Sequence, residues 1–156
     1  MIRFQRIVCP TDFSDLAAVA TRYARSLAEA YQAELHVIHV VDEAYQYWMA
    51  MGPDSLPIGP APREVAAAAR QQMERWNTAQ FEGLATPVVS DVLLGQPFVE
   101  IIRYARDKQA DLIVMGTHGR GGLTHVLLGS VTEKVVRKSP CPVLTVRDPG
   151  HQFQMP

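Results

Sequence analysis

The sequence predicts an α/β domain of three layers, a parallel sheet with helices on both faces. Three observations carry this. Short apolar runs bounded by turn residues alternate with longer amphipathic runs along the chain. The 156 residues suit one domain and can bury a sizeable core. Strand–helix alternation repeated within one domain implies parallel strands joined by crossovers, and such crossovers are right-handed almost without exception.

Each element has its own signal. Phe4 to Cys9 is the first strand and runs into Pro10-Thr11-Asp12. Ser14 to Tyr31 is a helix; its Leu16, Val19, Ala20, Tyr23, Ala24, Leu27 and Ala28 recur at helical spacing and form one apolar face. Glu34 to Val41 is the second strand. Its His36 and His39 stand an odd number of residues apart, so they point to opposite faces and cannot form one metal site by themselves. Arg63 to Phe81 is the second helix and opens after Pro62. Pro87 to Leu94 is the third strand. Pro97 to Lys108 is the third helix, with proline suited to its first turn. Leu112 to Met115, Ser130 to Lys138 and Val143 to Arg147 complete the series as strand, helix and strand.

Asp42 to Pro62 is a long irregular connection. Its Tyr45, Tyr47, Trp48, Met49 and Met51 either close over a ligand or partner, or form a short helical turn packed on the domain. The domain is assigned to residues 1–148 and a flexible tail to 149–156.

Composition excludes several classes. The formal net charge is −1 and no basic stripe is present, which argues against electrostatic binding of nucleic acid or anionic membrane. No apolar run reaches the ~20 residues of a membrane helix. The N-terminus flows directly into a strand pattern, so no signal peptide and a cytoplasmic location are expected. Cys9 and Cys141 make no disulfide framework, because parallel strands put them toward opposite ends of the sheet. Cys9 reads as a small buried apolar residue. No Cys/His cluster has zinc spacing, and no protein metal cluster is expected.

The chemistry concentrates in Gly116-Thr-His-Gly119, nine residues, then Gly129-Ser130. This stretch lies between the fourth strand and fourth helix. Backbone amides approach a phosphate closely where no Cβ intervenes, and the positive end of the following helix adds attraction for anions. The spacing is neither the Walker pattern nor the dinucleotide fingerprint. Ligands in parallel α/β sheets sit beyond the carboxyl ends of the strands, where strand order reverses. Asp12, at the mouth of the first strand, can meet a ribose hydroxyl or a phosphate-bound Mg²⁺, or it can cap the helix that follows.

Gly-x-x-Gly, nine residues and Gly-Ser, together with Pro10-Thr11-Asp12, resemble the ATP-binding subclass of the universal stress proteins. His39-Val-Val-Asp42, Leu127-Leu-Gly-Ser-Val-Thr-Glu133 and Ser139-Pro-Cys-Pro-Val-Leu-Thr-Val146 also match, and the resemblance spans roughly Arg6 to Val146. It implies a five-stranded parallel sheet of order 3-2-1-4-5; the residues alone allow other orders. It implies that Val40 contacts adenine through its backbone and that Pro10, Thr11 and Asp12 border the ribose. Met115, Gly116 and Gly119 would border ribose and phosphates. Gly129, Ser130 and Val131 would meet the terminal phosphates. The cofactor implied is ATP with Mg²⁺, and the final strand, Val143 to Arg147, is an apolar edge expected to pair two copies in a homodimer.

Several residues carry two readings. Ser130-Val-Thr-Glu133 has the spacing of a capping box, so the Ser130 hydroxyl would serve the helix when no phosphate is bound. Arg120 either pairs with a phosphate or is a solvated loop residue. Gly121 and Gly122 suggest a loop that orders on binding. His118 and His125 have no nucleophile or acid partner at a useful spacing and read as solvent-facing.

No Gly-x-Ser-x-Gly elbow, triad or paired carboxylate can be assembled from the sequence, and no catalytic residue is assigned. This favours a nucleotide-responsive stress sensor or regulator with an unidentified protein partner. The alternatives are a slow ATPase or autophosphorylating enzyme, with Thr117, Thr124, Ser130 and Thr132 as acceptors, and a partner-binding module. AMP or a cyclic nucleotide is an alternative ligand.

Overall fold

The structure is a computed structural model and describes residues 1–42, 62–118 and 128–147. Its strands are β1 (Arg6–Pro10), β2 (Glu34–Asp42), β3 (Val88–Gly95), β4 (Leu112–Gly116) and β5 (Val143–Val146). The helices among the described residues are α1 (Asp15–Tyr31), α2 (Pro62–Phe81), α3 (Pro97–Asp107) and α4 (Ser130–Lys138). The strands form one parallel sheet in the order β3-β2-β1-β4-β5, as the resemblance implied.

Alternation along each strand feeds two cores. Ile7 and Cys9 of β1, Leu35 and Val37 of β2, and Leu112 and Val114 of β4 point to the face covered by α1 and α2. Val8, Ile38, Ile113 and Met115 point to the other face, under Ile101, Tyr104 and Ala105 of α3 and Val135 of α4. His36 and His39 follow the same rule. The His36 ring lies 2.9 Å through Nδ1 from the Tyr104 hydroxyl, with Nε2 3.2 Å from Glu34 but poorly aligned for a hydrogen bond. His39 instead stacks on Phe13, on the α1 side.

Helix α1 begins at a capped turn: the Ser14 hydroxyl accepts the Ala17 amide at 3.2 Å. It ends on Gln32 in the left-handed region, at φ 54°, whose amide reaches back to the Ala28 and Glu29 carbonyls. Its sheet-facing row is Ala17, Ala20, Ala24 and Ala28, all buried. Tyr23, expected on that face, is 53% exposed. A tyrosine there would hold the helix off the sheet, and the alanine row seats it without one. Helix α4 stops at Ser139, whose extended backbone is what a residue before proline favours. Cys9 and Cys141 are free, and they pack on opposite faces of the sheet.

Candidate functional site

Val8 is opposite both His36 and Ile113, so β1 ends level with Ile38 and close to the end of β4, while β2 runs on to Asp42. Pro10 is the last residue of β1 and lies opposite Ile38. Thr11 is buried, and its amide donates to the Ile38 carbonyl at 2.8 Å. Its carbonyl lies 2.8 Å from Nδ1 of His39. A carbonyl only accepts, so Nδ1 carries the proton.

The next three residues form a tight turn. The Thr11 hydroxyl accepts the Phe13 amide at 3.0 Å. Asp12 accepts from both the amide and the hydroxyl of Ser14 through one oxygen, Oδ1. Phe13 sits at φ 63°, unusual for a residue with a bulky side chain, and its ring is held between His39 and Trp76, with centroids at 4.4 and 5.6 Å. Asp12 therefore does not cap α1 itself. It holds the residue that does.

On the β4 side, Met115 is buried in the core under α3 and α4, and Gly116 closes the strand opposite Val146. A Cβ on Gly116 would stand 3.0 Å from Cγ of Leu16, the second residue of α1. A side chain here would push Leu16 back by a few tenths of an ångström, and glycine lets helix and strand end touch without that shift. The Thr117 amide donates to the Val146 carbonyl at 2.9 Å, and the Gly129 amide donates to the Thr117 carbonyl at 2.7 Å. That last bond brings the two halves of the glycine motif together. Gly119 and Arg120, with 121–127, lie outside the described residues, as do 43–61 and 148–156.

The capping box does not form. Gly129 occupies the N-cap, with no side-chain hydrogen bond there, and Ser130 is already helical and exposed. Glu133 pairs with Arg137 at 3.0 Å instead of reaching back. A helix whose first turn lacks a side-chain acceptor presents its amides to an outside anion. Val131 packs on the core below, and Val40 is partly buried beside that same core at the end of β2. Two further expectations change. The Thr132 hydroxyl is buried and donates to the Gly116 carbonyl at 2.9 Å, and the buried Thr117 hydroxyl lies 3.1 Å from His118 Nδ1. Both are occupied in structure and are poor phosphate acceptors, and His118 is half-buried instead of solvent-facing.

The sequence profile of the Universal stress protein family matches residues 3–147. The chain belongs to this family. Universal stress protein MJ0531 of Methanocaldococcus jannaschii is 35% identical over 153 residues, covering 94% of this chain and 84% of its own. The solved structure of MJ0577, from the same organism, superposes with a TM-score of 0.81 at 30% identity, covering 96% of this chain and 100% of its own. A universal stress protein solved in complex with cAMP superposes with a TM-score of 0.62 at 29% identity, over 93% of this chain and 98% of its own.

In this family member no group of three or more His, Cys, Asp or Glu side chains converges as metal ligands among the described residues. No helix among them is long and apolar enough to cross a membrane. Burial pushes the Cys9 thiol, one residue before the site, up to about 12, with the Thr21 hydroxyl opposing the shift. Sequence reasoning gave His39, Leu16 and Phe13 no positioning role in the site, and took Thr132 for a phosphate acceptor instead of a tie to Gly116. The parity of β2 could have located His39 beside Thr11; the fit of Leu16 against Gly116 depends on helix position and leaves no sequence signal.

Proposed function

We propose that the chain binds an adenine nucleotide, ATP with Mg²⁺, and acts as a nucleotide-responsive regulator in the cytoplasm. The observation that carries this is the Gly129 amide on the Thr117 carbonyl at 2.7 Å. It sets an uncapped helix start beside the end of β4, one strand away from Thr11 and Asp12. The residues fit such a ligand. The first-turn amides of α4 suit phosphate oxygens. Asp12 stands at the mouth of β1, held there through its bonds with Ser14, where a carboxylate suits a ribose hydroxyl or Mg²⁺. Val40 would meet the base through its backbone, with Pro10, Met115 and Gly116 as walls and Ser130 and Val131 at the phosphates. Gly119 and Arg120 complete the proposed set from outside the described residues. The cAMP-bound relative supports the nucleotide class and keeps a cyclic ligand as a comparison.

Calorimetry on nucleotide-free protein tests the reading, with ATP, ATP–Mg²⁺ and cAMP, and Gly129→Val as control. Micromolar ATP binding lost in the variant supports it. No binding by folded wild type rejects it in favour of a partner-binding module.

Slow hydrolysis or self-phosphorylation is the second reading. Ser130, exposed at the start of α4, is the described hydroxyl that favours it. Phosphate release above that of Ser130→Ala would support it. Assembly is proposed to run through β5, an edge strand whose Leu144 is exposed. The resulting homodimer, with nucleotide bound, would be the form read by a protein partner.

A further inference from the structure

His39 is a conspicuous side chain at the site that the nucleotide reading leaves unused. The register places Pro10 opposite Ile38, so Thr11 falls opposite His39. The Thr11 amide keeps the ladder by donating to the Ile38 carbonyl. In a continued parallel ladder the Thr11 carbonyl would accept the Val40 amide. Instead the His39 ring supplies the donor, at 2.8 Å, and no backbone bond from Val40 to Thr11 is present among the described residues. The Glu34 amide bonds Gln5 on the β1 side, and the Leu35 amide bonds Pro87 on the β3 side. Two-residue alternation then turns the Val40 amide toward β1, and so toward the site.

We propose that His39 is a positioning residue for the nucleotide: its Nδ1–H takes the Thr11 carbonyl, and this leaves the Val40 backbone amide for the base. The inference rests on the nucleotide reading above. The same ring holds Phe13 in its left-handed conformation, so the turn that aims Asp12 is braced from β2. The phosphate end of the site, on β4 and α4, is independent of it.

The test compares wild type, His39→Leu and His39→Asn by calorimetry with ATP–Mg²⁺ and with inorganic tripolyphosphate. Asparagine places an amide donor near the position of Nδ1; leucine supplies none. The expected result is at least a tenfold loss of ATP affinity in His39→Leu and a return to within threefold of wild type in His39→Asn. Tripolyphosphate should bind all three alike. ATP affinity unchanged in His39→Leu overturns the proposal, and so does an equal loss for both ligands, which would report general distortion. If His39→Leu does not fold, amide hydrogen exchange on the wild type decides. The Val40 amide should exchange rapidly without ligand and be protected by ATP; protection already present without ligand overturns the proposal. A wild type that binds tripolyphosphate but not ATP overturns it too. One that binds neither rejects the nucleotide reading itself.

Discussion

The Thr132 hydroxyl donates a 2.9 Å hydrogen bond to the carbonyl of Gly116, from the first turn of α4 to the last residue of β4. Both ends of the proposed phosphate cradle are therefore tied by a side chain that touches no ligand. Thr132→Val keeps the shape and removes the donor. Leaving a fully buried carbonyl unpaired costs about 1–3 kcal/mol, and this part-buried one belongs at the lower end. Urea unfolding should show a loss in that range, accompanied by weaker ATP binding. A variant as stable as wild type would mean that water or a neighbouring donor replaces the hydroxyl.

Gln32 ends α1 at φ 54°. A side chain in the left-handed region costs roughly 1–2 kcal/mol, and glycine is free of that cost though it loses more chain entropy on folding. Gln32→Gly should raise stability by about 0.5–1 kcal/mol. The midpoint of thermal unfolding is the readout, and a fall would show that the glutamine side chain makes a compensating contact.

The Cys9 thiol titrates at about 12 against an ordinary 9.0, because burial disfavours its thiolate. Between those values the unfolded chain has released a proton that the folded chain retains. Rising pH therefore favours unfolding, and stability falls from pH 9 upward. The buried Tyr104, also pushed up to about 12 by burial and by Asp91 and Glu34, acts in the same direction. Cys9→Ala should flatten the alkaline limb of the stability profile while lowering its plateau. An unchanged slope would count against Cys9 as a contributor. For the same reason native protein should resist thiol reagents at Cys9 at pH 8.

Leu144 is exposed on the edge strand β5, where backbone groups on one side have no strand beside them among the described residues. Leu144→Lys introduces a charge that disfavours edge pairing. Light scattering after gel filtration should show a dimer for wild type and a shift to monomer for the variant. A monomeric wild type would remove the proposed interface.

Elements with clean periodicity were legible in the sequence. The nine strands and helices among the described residues fall within two residues of the expected limits, since burial on a sheet face or helix stripe writes itself into residue order. Strand order followed from the family resemblance, because alternation alone allows several. Errors gathered where tertiary contact overrides local pattern. Ser130 and Glu133 have the spacing of a capping box, yet Gly129 takes the cap and Glu133 turns to Arg137. Tyr23 has helical spacing for the buried face, yet the alanine row occupies it. The left-handed Phe13 was invisible because its ring contacts come from distant parts of the chain, tilted on His39 and edge-on to Trp76.

The alanine row on α1 has a consequence for tolerance to change. Over about 25 Å of helix, the clearance to the sheet is set by methyl groups. Under this row the methyl groups leave nothing that can fold aside, so a bulkier residue at Ala20, Ala24 or Ala28 should tilt the helix, even though Val19 and Leu27 pack along its flanks. Its near end carries Leu16, in contact distance of Gly116, and Ser14, bonded to Asp12. The aperture of the proposed nucleotide site is thus gauged by spacers up to four turns away, and substitutions far from that site should still alter its fit.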